Sequence, residues 1–207
     1  MFNSCLFKKI LISLLCFCSY SLSALTLEEL QQKLTVHEVL RGDFIQTKTL
    51  QMFNQPLDSN GTFLLSHEQG LIWAQKNPFP VSLVLTKDKL RQQFADQPPE
   101  IISAADNPMV FYFSHLFLAL FKGDLSTLDE QFSMSLDEDN NGTWSLLLLP
   151  KQSPLNKVFE KIEIKGKSQI QTLSLIELNQ DSSVIKFSHI EAQQPPLNQQ
   201  EYNAFQF

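Results

Sequence analysis

The sequence has only three cysteines, Cys5, Cys16 and Cys18, and all three lie within its first 24 residues. The remaining 183 residues therefore contain no thiol, which excludes disulfides, thiolate metal ligands and a cysteine nucleophile from that part of the chain. Leu15 and Phe17 precede Cys16 and Cys18, and neither is the small residue that lipid attachment to a processed cysteine requires. We predict an exported domain with neither a lipid anchor nor a disulfide.

The first 24 residues have the pattern of a secretory signal peptide. Lys8-Lys9 precedes the apolar run from Ile10 to Cys18, and the small residues Ser21, Ser23 and Ala24 follow it. We predict that residues 1–24 are removed on export. A disulfide-free exported domain is typical of a bacterial periplasm, where a full hydrophobic core makes disulfides unnecessary. An uncleaved N-terminal anchor is the alternative.

Glycine, positive charge and clustered histidines are also scarce. The six glycines form neither a phosphate-binding loop nor a G-x-S-x-G elbow. Residues 25–207 carry 14 basic and 22 acidic side chains, a formal charge of −8, which excludes nucleic acid as a partner because phosphate binding needs clustered Lys and Arg. His37, His67, His115 and His189 are too widely separated for a metal motif. We therefore expect no metal, no cofactor and no catalytic residue.

Apolar and polar residues alternate along most of residues 25–207, as is typical of β-strands. A helix comes first, because Thr26 and Glu29 form a capping box and the helical spacing continues to Arg41-Gly42. Turn pairs such as Asn60-Gly61 and Asn141-Gly142 then divide the sequence. The eleven predicted strands lie near residues 43–52, 61–67, 71–76, 81–86, 89–95, 100–104, 131–137, 143–149, 158–165, 169–178 and 183–191.

These strands predict one domain over residues 25–207. Alternation is clearest where Val158, Ile162 and Ile164 share one face and charged residues lie between them. Consecutive short antiparallel strands with one apolar face favour a single curved antiparallel sheet, an incomplete barrel of about eleven strands. The predicted fold is mostly β with a helical lid (α+β), and its concave face is too large to be filled by its own side chains.

The segment from Met109 to Phe121 is predicted to be helical. Asn107 is its N-cap, Pro108 its first residue and Gly123 its C-terminal glycine. At roughly 20 Å it is too short for the ~30 Å hydrocarbon layer of a membrane. Its apolar residues occupy two sides, and this leaves two interpretations open: a fully buried core helix, or a lid over an apolar cavity. The side proposed to close the cavity consists of Met109, Phe113, Leu116, Phe117 and Leu120.

If this helix is a lid, the cavity beneath it is lined by the apolar face of the sheet, whose residues can be identified from the strand alternation. Aromatic and methionine side chains suit a site that repacks around flexible acyl chains. The residues predicted to form the walls are Trp73, Val81, Leu83, Leu85, Ile162 and Ile164.

Several short motifs together resemble a known family. Phe44-Ile45-Gln46, Gly61-Thr62-Phe63, Gly70-Leu71-Ile72-Trp73 and Pro78-Phe79 are similar, in this order, to the N-terminal half of the LolA family of periplasmic outer-membrane lipoprotein carriers. Asn107-Pro108, the strand ending at Pro150-Lys151, and closing strands up to Phe205-Gln206-Phe207 continue the resemblance.

The resemblance implies an unclosed eleven-stranded barrel capped by helices, without enzymatic activity. It also implies a periplasmic monomer that shelters the acyl chains of lipoproteins. An inner-membrane ABC transporter would be the donor of this cargo, and an outer-membrane lipoprotein receptor would be the acceptor.

Two departures from the family pattern favour a divergent member. His67 occupies the position, six residues before Trp73, of an arginine that helps to latch the lid, so the latch is expected to respond to pH near ~6.5. The chain stops at Phe207, whereas family members extend further. A carrier for another acylated product, such as a glycolipid or polyene lipid, is therefore an alternative. A lipid-acting enzyme and an integral outer-membrane barrel are the remaining ones.

Overall fold

The computed structural model describes residues 25–35, 37–190 and 195–207, so the predicted signal peptide, residues 1–24, lies outside the described residues. The described residues form four α-helices: α1 (Leu27–Leu34), α2 (Pro108–Lys122), α3 (Leu125–Gln131) and α4 (Gln199–Ala204). They form eleven strands: β1 (Val39–Thr49), β2 (Leu57–Ser66), β3 (Gly70–Asn77), β4 (Val81–Leu85), β5 (Lys89–Phe94), β6 (Glu100–Ser103), β7 (Phe132–Glu138), β8 (Trp144–Pro150), β9 (Phe159–Gly166), β10 (Ile170–Glu177) and β11 (Ser182–Ser188).

All eleven strands belong to one antiparallel sheet. Its order is β6-β5-β4-β3-β2-β1-β11-β10-β9-β8-β7, and β6 and β7 are its two edges. The first and last strands of the chain pair at its centre, where Asp43 lies opposite Ser188 and Thr49 opposite Ser182. Because the edge strands do not pair, the sheet is an incomplete barrel, and the predicted fold class is confirmed.

The helices cover both faces of the sheet. Helices α1, α2 and α3 pack on what we call the inner face, together with inward side chains such as Phe44, Leu146 and Leu173. Helix α4 and the residues after it lie on the outer face, where Phe205 packs with Val39, Leu64 and Val84. The larger of the two apolar cores is therefore enclosed between the inner face and the three helices.

The predicted boundaries of α1 and β2 were wrong. The capping box of Thr26 and Glu29 is present, but α1 ends at Leu34, and Arg41-Gly42 belongs to β1. Gly42 is a strand residue at which a Cβ would lie 2.8 Å from the carbonyl oxygen of Ser188, so glycine permits the close approach of β11. Asn60-Gly61 lies within β2 at a bulge, not at a turn. A Cβ on Gly61 would lie 2.0 Å from the carbonyl oxygen of Ala74, so glycine permits a close approach of β3.

The C-terminal segment is helical and not the closing strand that we predicted. The side chain of Asn198 accepts a hydrogen bond from the backbone N–H of Glu201, and the Glu201 carboxylate accepts one from the N–H of Asn198. This capping box begins α4, the last regular element of the chain. Helix α3, capped by the side chain of Asp124, was also missed.

An ion pair holds α4 against the outer face. Nε of Arg41 on β1 donates to Glu201 at 2.8 Å, and Nη2 donates to the other carboxylate oxygen at 2.6 Å. Nη1 of Arg41 also donates to the carbonyl oxygen of Pro195 at 2.8 Å. The hydrogen bonds from Arg41 lower the pKa of Glu201, which keeps the carboxylate charged.

The predicted central helix is confirmed as α2. The side chain of Asn107 accepts a hydrogen bond from the N–H of Val110 at 3.2 Å, Pro108 is the first helical residue, and Gly123 ends the helix with φ of 65°. Its 15 residues give a length of about 22 Å. Within the described part of the chain, no helix has the length and apolar character needed to cross a membrane.

Candidate functional site

A cavity of about 380 Å³ lies between the inner face of the sheet and α2. Its size falls in the range of about 300–1,000 Å³ that is usual for small-molecule sites. Among the residues that the structure describes, Gln46 and Ser114 are the only polar ones that line it, and none of the lining residues is charged. We call this described set the lining: Gln46, Leu71, Trp73, Leu83, Leu85, Leu90, Ser114, Leu116, Phe117, Leu120, Phe132, Leu155, Phe159, Ile162, Leu175 and Ile185.

An aromatic cluster forms one boundary of the cavity. The ring of Trp73 stacks on Phe44 with centroids 3.6 Å apart, and Phe187 meets Trp73 edge-on at 6.4 Å. Phe121 of α2 meets Phe187 edge-on at 5.3 Å. The C-terminal end of α2 is thereby anchored in the cluster, because such aromatic pairs add to the energy of burial.

The middle of α2 faces the cavity. Leu116, Phe117 and Leu120 line it, whereas Phe111 and Leu118, on the opposite side of the helix, are buried elsewhere in the core. The helix therefore combines the two arrangements considered from the sequence. One side of α2 is buried in the core, and Leu116, Phe117 and Leu120 cover an apolar cavity. A charged group placed there would find no partner in the lining.

Two side-chain hydrogen bonds fasten α2 to its surroundings. The Tyr112 hydroxyl donates to Oε1 of Gln131 at 2.7 Å. Nε2 of His115 lies 2.6 Å from the carbonyl oxygen of Lys87, in the connection between β4 and β5. Sequence reasoning did not assign a role to His115. The sequence did contain a signal for this role: His115 follows Tyr112 by three residues, so the two polar side chains lie on the same side of the helix.

Of the eleven predicted site residues, seven are brought together around the cavity, three are not, and one has a side chain that is not described. The seven are Trp73, Leu83, Leu85, Leu116, Phe117, Leu120 and Ile162. Val81 begins β4 outside the lining, Ile164 is buried elsewhere in the core, and Met109 is half exposed at the start of α2. Phe113 belongs to α2, but its side chain lies outside the described part of the structure.

His67, the predicted latch, lies near the C-terminal end of α2. Its Nε2 atom is buried and has no hydrogen-bond partner among the described residues. Burial lowers the pKa of His67 below its ordinary value of 6.5, and the positive charge of Lys122 lowers it further. Glu38 acts in the opposite direction, and His37 makes a smaller lowering contribution. Protonation of His67 would therefore place a buried positive charge next to Lys122 at the end of α2.

A His67→Phe variant is expected to lose part of the pH dependence of its unfolding free energy. Because the folded-state pKa is lowered, the unfolded chain binds the proton first, and stability falls as the pH drops below about 6.5. This loss continues down to the folded-state pKa and stops there. Urea unfolding at a series of pH values measures the slope in the variant and in the wild type. An unchanged slope in His67→Phe would contradict the prediction.

The described residues contain no group of three or more His, Cys, Asp or Glu side chains arranged to hold a metal ion. The acidic hairpin between β7 and β8 instead binds its own backbone. Asp139 accepts hydrogen bonds from the N–H groups of Asn141 and Thr143 at 2.9 and 2.8 Å. These bonds lower the pKa of the Asp139 carboxyl, chiefly through Thr143. The hairpin is thus a turn stabilised by a side-chain cap.

An open antiparallel sheet with a helix over an apolar cavity is the architecture expected of a carrier-type protein. The chain belongs to the LolA family, since the family model described as outer membrane lipoprotein carrier protein LolA matches residues 36–206. No curated protein matches the chain.

Three similar solved structures have low sequence identity to this chain. A LolA superfamily protein from Nitrosomonas europaea is 9% identical, with 84% of this chain and 96% of that chain covered and a TM-score of 0.45. An outer membrane lipoprotein-sorting protein domain from Vibrio parahaemolyticus is 8% identical, with 86% and 95% covered and a TM-score of 0.48. A DUF1329 family protein from Desulfovibrio piger is 10% identical, with 86% and 96% covered and a TM-score of 0.46.

Proposed function

We propose that the protein is a periplasmic carrier that shelters the acyl chains of lipoproteins and ferries them from the inner to the outer membrane. The observation that carries this proposal is the uncharged cavity of about 380 Å³ beneath α2 in a chain of the LolA family. An inner-membrane ABC transporter is the proposed donor, and an outer-membrane lipoprotein receptor is the proposed acceptor. Residues 1–24 are the proposed signal peptide that directs export.

The cavity provides the free energy that carriage requires. Each methylene buried from water contributes ~0.8 kcal/mol, so a dozen of them contribute roughly 10 kcal/mol. Binding of that strength would prevent release unless another contact replaced the acyl chain. We propose that Leu116, Phe117 and Leu120 move deeper into the cavity when the cargo leaves, so that the loaded and unloaded states have similar free energies.

The attachments of α2 agree with such a movement. Its middle contributes apolar contacts to the cavity, and these are not directional. Its two fastening hydrogen bonds, donated by Tyr112 and by His115, are separate from the aromatic anchor at Phe121. Because each of these two bonds is made by a single side chain, we propose that they break and re-form while α2 changes its angle to the sheet about its anchored C-terminal end. His67, beside the anchored end, is proposed to modulate this change.

The composition of the lining favours a carrier over a lipid-acting enzyme. Hydrolysis of an ester or amide needs a positioned acid, base or activated nucleophile. The only polar side chains in the lining, Gln46 and Ser114, are a neutral amide and a hydroxyl, and the lining contains no base that could activate Ser114. We therefore propose binding and release, without turnover, as the activity of this site.

Identification of the native cargo tests the proposal most directly. The protein would be purified from the periplasmic fraction of its own bacterium, and the co-purifying lipids would be identified by mass spectrometry. We expect triacylated or diacylated lipoproteins, released in exchange for a fluorescent fatty-acyl probe. Recovery of a glycolipid or polyene lipid would assign the protein to another acylated cargo. Recovery of no lipid, together with no probe binding, would reject the carrier function.

A further inference from the structure

Large exposed apolar side chains are concentrated at one end of the incomplete barrel. Six of them, each at least half exposed, lie in or beside the connections β1–β2, β3–β4, β5–β6 and β10–β11. Since all neighbouring strands are antiparallel, these four connections lie at the same end of the sheet. We call this set the apolar rim: Met52, Phe53, Leu57, Phe79, Phe94 and Leu178.

The opposite end of the sheet has a different composition. No large apolar residue occurs in its described hairpin connections, which are residues 67–69, 86–88, 139–143 and 167–169. Met109, which follows the connection from β6 to α2, is also half exposed. Single exposed apolar residues of this kind are normal on a protein surface, whereas the rim has six of them. A concentration of this kind marks an interaction surface.

Hydrogen bonds hold the rim connections in pairs. The backbone N–H of Gln51 donates to Asp181 at 2.8 Å, which joins the β1–β2 connection to the β10–β11 turn. Nε2 of Gln75 donates to the carbonyl oxygen of Phe79 at 2.9 Å. The N–H of Ala95 donates to the carbonyl oxygen of Pro80 at 2.8 Å, which joins the β3–β4 and β5–β6 connections. The apolar side chains are therefore presented by a supported scaffold.

The rim lies at an end of the sheet that the cavity also reaches. Phe132 begins β7, Phe159 begins β9 and Leu155 lies in the β8–β9 connection, and all three line the cavity. The two connections that project Phe53 and Phe79, residues 50–56 and 78–80, contain no charged residue. Such connections can enter the boundary between lipid headgroups and acyl chains without the cost of desolvating a charge.

We propose that the apolar rim docks on the surface of a lipid bilayer, so that an acyl chain passes between membrane and cavity along an apolar path. A bilayer is favoured over a folded protein partner because the connections that carry Phe53 and Phe79 contain no charged residue and lie at an end of the sheet that the apolar cavity reaches. An uncharged apolar edge beside an apolar cavity suits the boundary between lipid headgroups and acyl chains. The proposal goes beyond the carrier function, because a carrier can meet its partners without touching lipid.

The test measures binding of the processed protein to phosphatidylcholine vesicles by co-sedimentation. Phe79→Asp and Phe53→Asp are each expected to weaken vesicle binding about tenfold, because an inserted ring is replaced by a charge. Tyr202→Asp, which changes an exposed aromatic residue on α4 of the outer face, is the matched control and should bind as the wild type does. Phosphatidylglycerol should not strengthen binding, since the domain carries a net negative charge.

A second measurement separates this proposal from the carrier function. Because residues 25–207 contain no cysteine, Phe79→Cys can be labelled with an environment-sensitive dye, with Tyr202→Cys as the control. A blue shift on vesicle addition is expected only at position 79. Fatty-acyl probe binding should be unchanged in Phe79→Asp, because Phe79 lies outside the cavity lining. A wild-type protein that binds vesicles but not the probe would contradict the carrier function and leave the docking proposal in place. No vesicle binding by the wild type, or a rim buried in a dimer in solution, would overturn the docking proposal.

Discussion

A Leu116→Glu variant is expected to bind a fluorescent fatty-acyl probe at least about a hundredfold more weakly than the wild type. Leu116 lies in the middle of α2, is 7% exposed and lines the cavity. The lining offers no cation to pair with a carboxylate. Burial of an unpaired charge costs several kcal/mol, and each 1.4 kcal/mol corresponds to about tenfold in affinity. The carboxylate would therefore remain in water and draw the middle of α2 away from the cavity.

Met109→Glu provides the matched control for this experiment. It introduces the same charge into the same helix, at a half-exposed position outside the cavity lining. A carboxylate in the first turn is also favourable to the helix dipole. We expect probe affinity and thermal stability close to those of the wild type. Equal loss of binding in Met109→Glu and Leu116→Glu would show that the lining of α2 is not what binds the acyl chain.

The Leu116→Glu result is informative only if the sheet remains folded. Trp144 is fully buried away from the cavity lining, and its fluorescence reports on the sheet when it is measured in a Trp73→Phe background, because Trp73 itself lines the cavity. Far-ultraviolet circular dichroism reports whether the strand signal is kept. Phe117→Glu is a second variant at a partly exposed lining position, and it is expected to weaken probe binding with a smaller loss of stability. Wild-type probe affinity in both variants would reject α2 as the lid.

Strand positions were predictable because the alternation that marks a half-buried strand is local. All eleven strands were found from it, and α2 was found from Asn107, Pro108 and Gly123. The errors occurred where a distant contact determines the local structure. Gly61 resembles a turn residue, yet it lies in β2, where glycine is needed because the backbone of Ala74 passes too close for any side chain. Such an approach of two strands leaves no local signal.

The cavity was only partly predictable for a related reason. Ile162 and Ile164 have the same orientation on β9, but Ile162 lines the cavity and Ile164 is buried elsewhere in the core. The alternation of apolar and polar residues shows which face of the sheet a side chain lies on. It does not show where along the strand the covering helix crosses. Phe159 and Leu175 were missed as lining residues because the position of α2 over β9 and β10 depends on the whole fold.

Leu83→Trp is expected to change binding and stability in opposite directions. Leu83 lines the cavity from β4 and lies opposite Trp73 of β3 in the sheet. An indole at this position would occupy space that the acyl chain needs, so we expect probe affinity to fall about tenfold or more. Filling a cavity typically raises protein stability by about 0.5–2 kcal/mol. A protein whose interior served only to stabilise the fold would gain stability without any functional loss.

Ser82→Trp separates cavity filling from the general effect of an added indole. Ser82 is adjacent to Leu83 on β4, so its side chain projects from the opposite face of the sheet. We expect this variant to keep the probe affinity of the wild type and to show no gain from cavity filling. Probe titration and urea unfolding of both variants provide the comparison. If Leu83→Trp became more stable with unchanged probe affinity, acyl chains would bind elsewhere. If it lost both stability and affinity, the space beside Leu83 would be too small for an indole, which would contradict the predicted gain in stability.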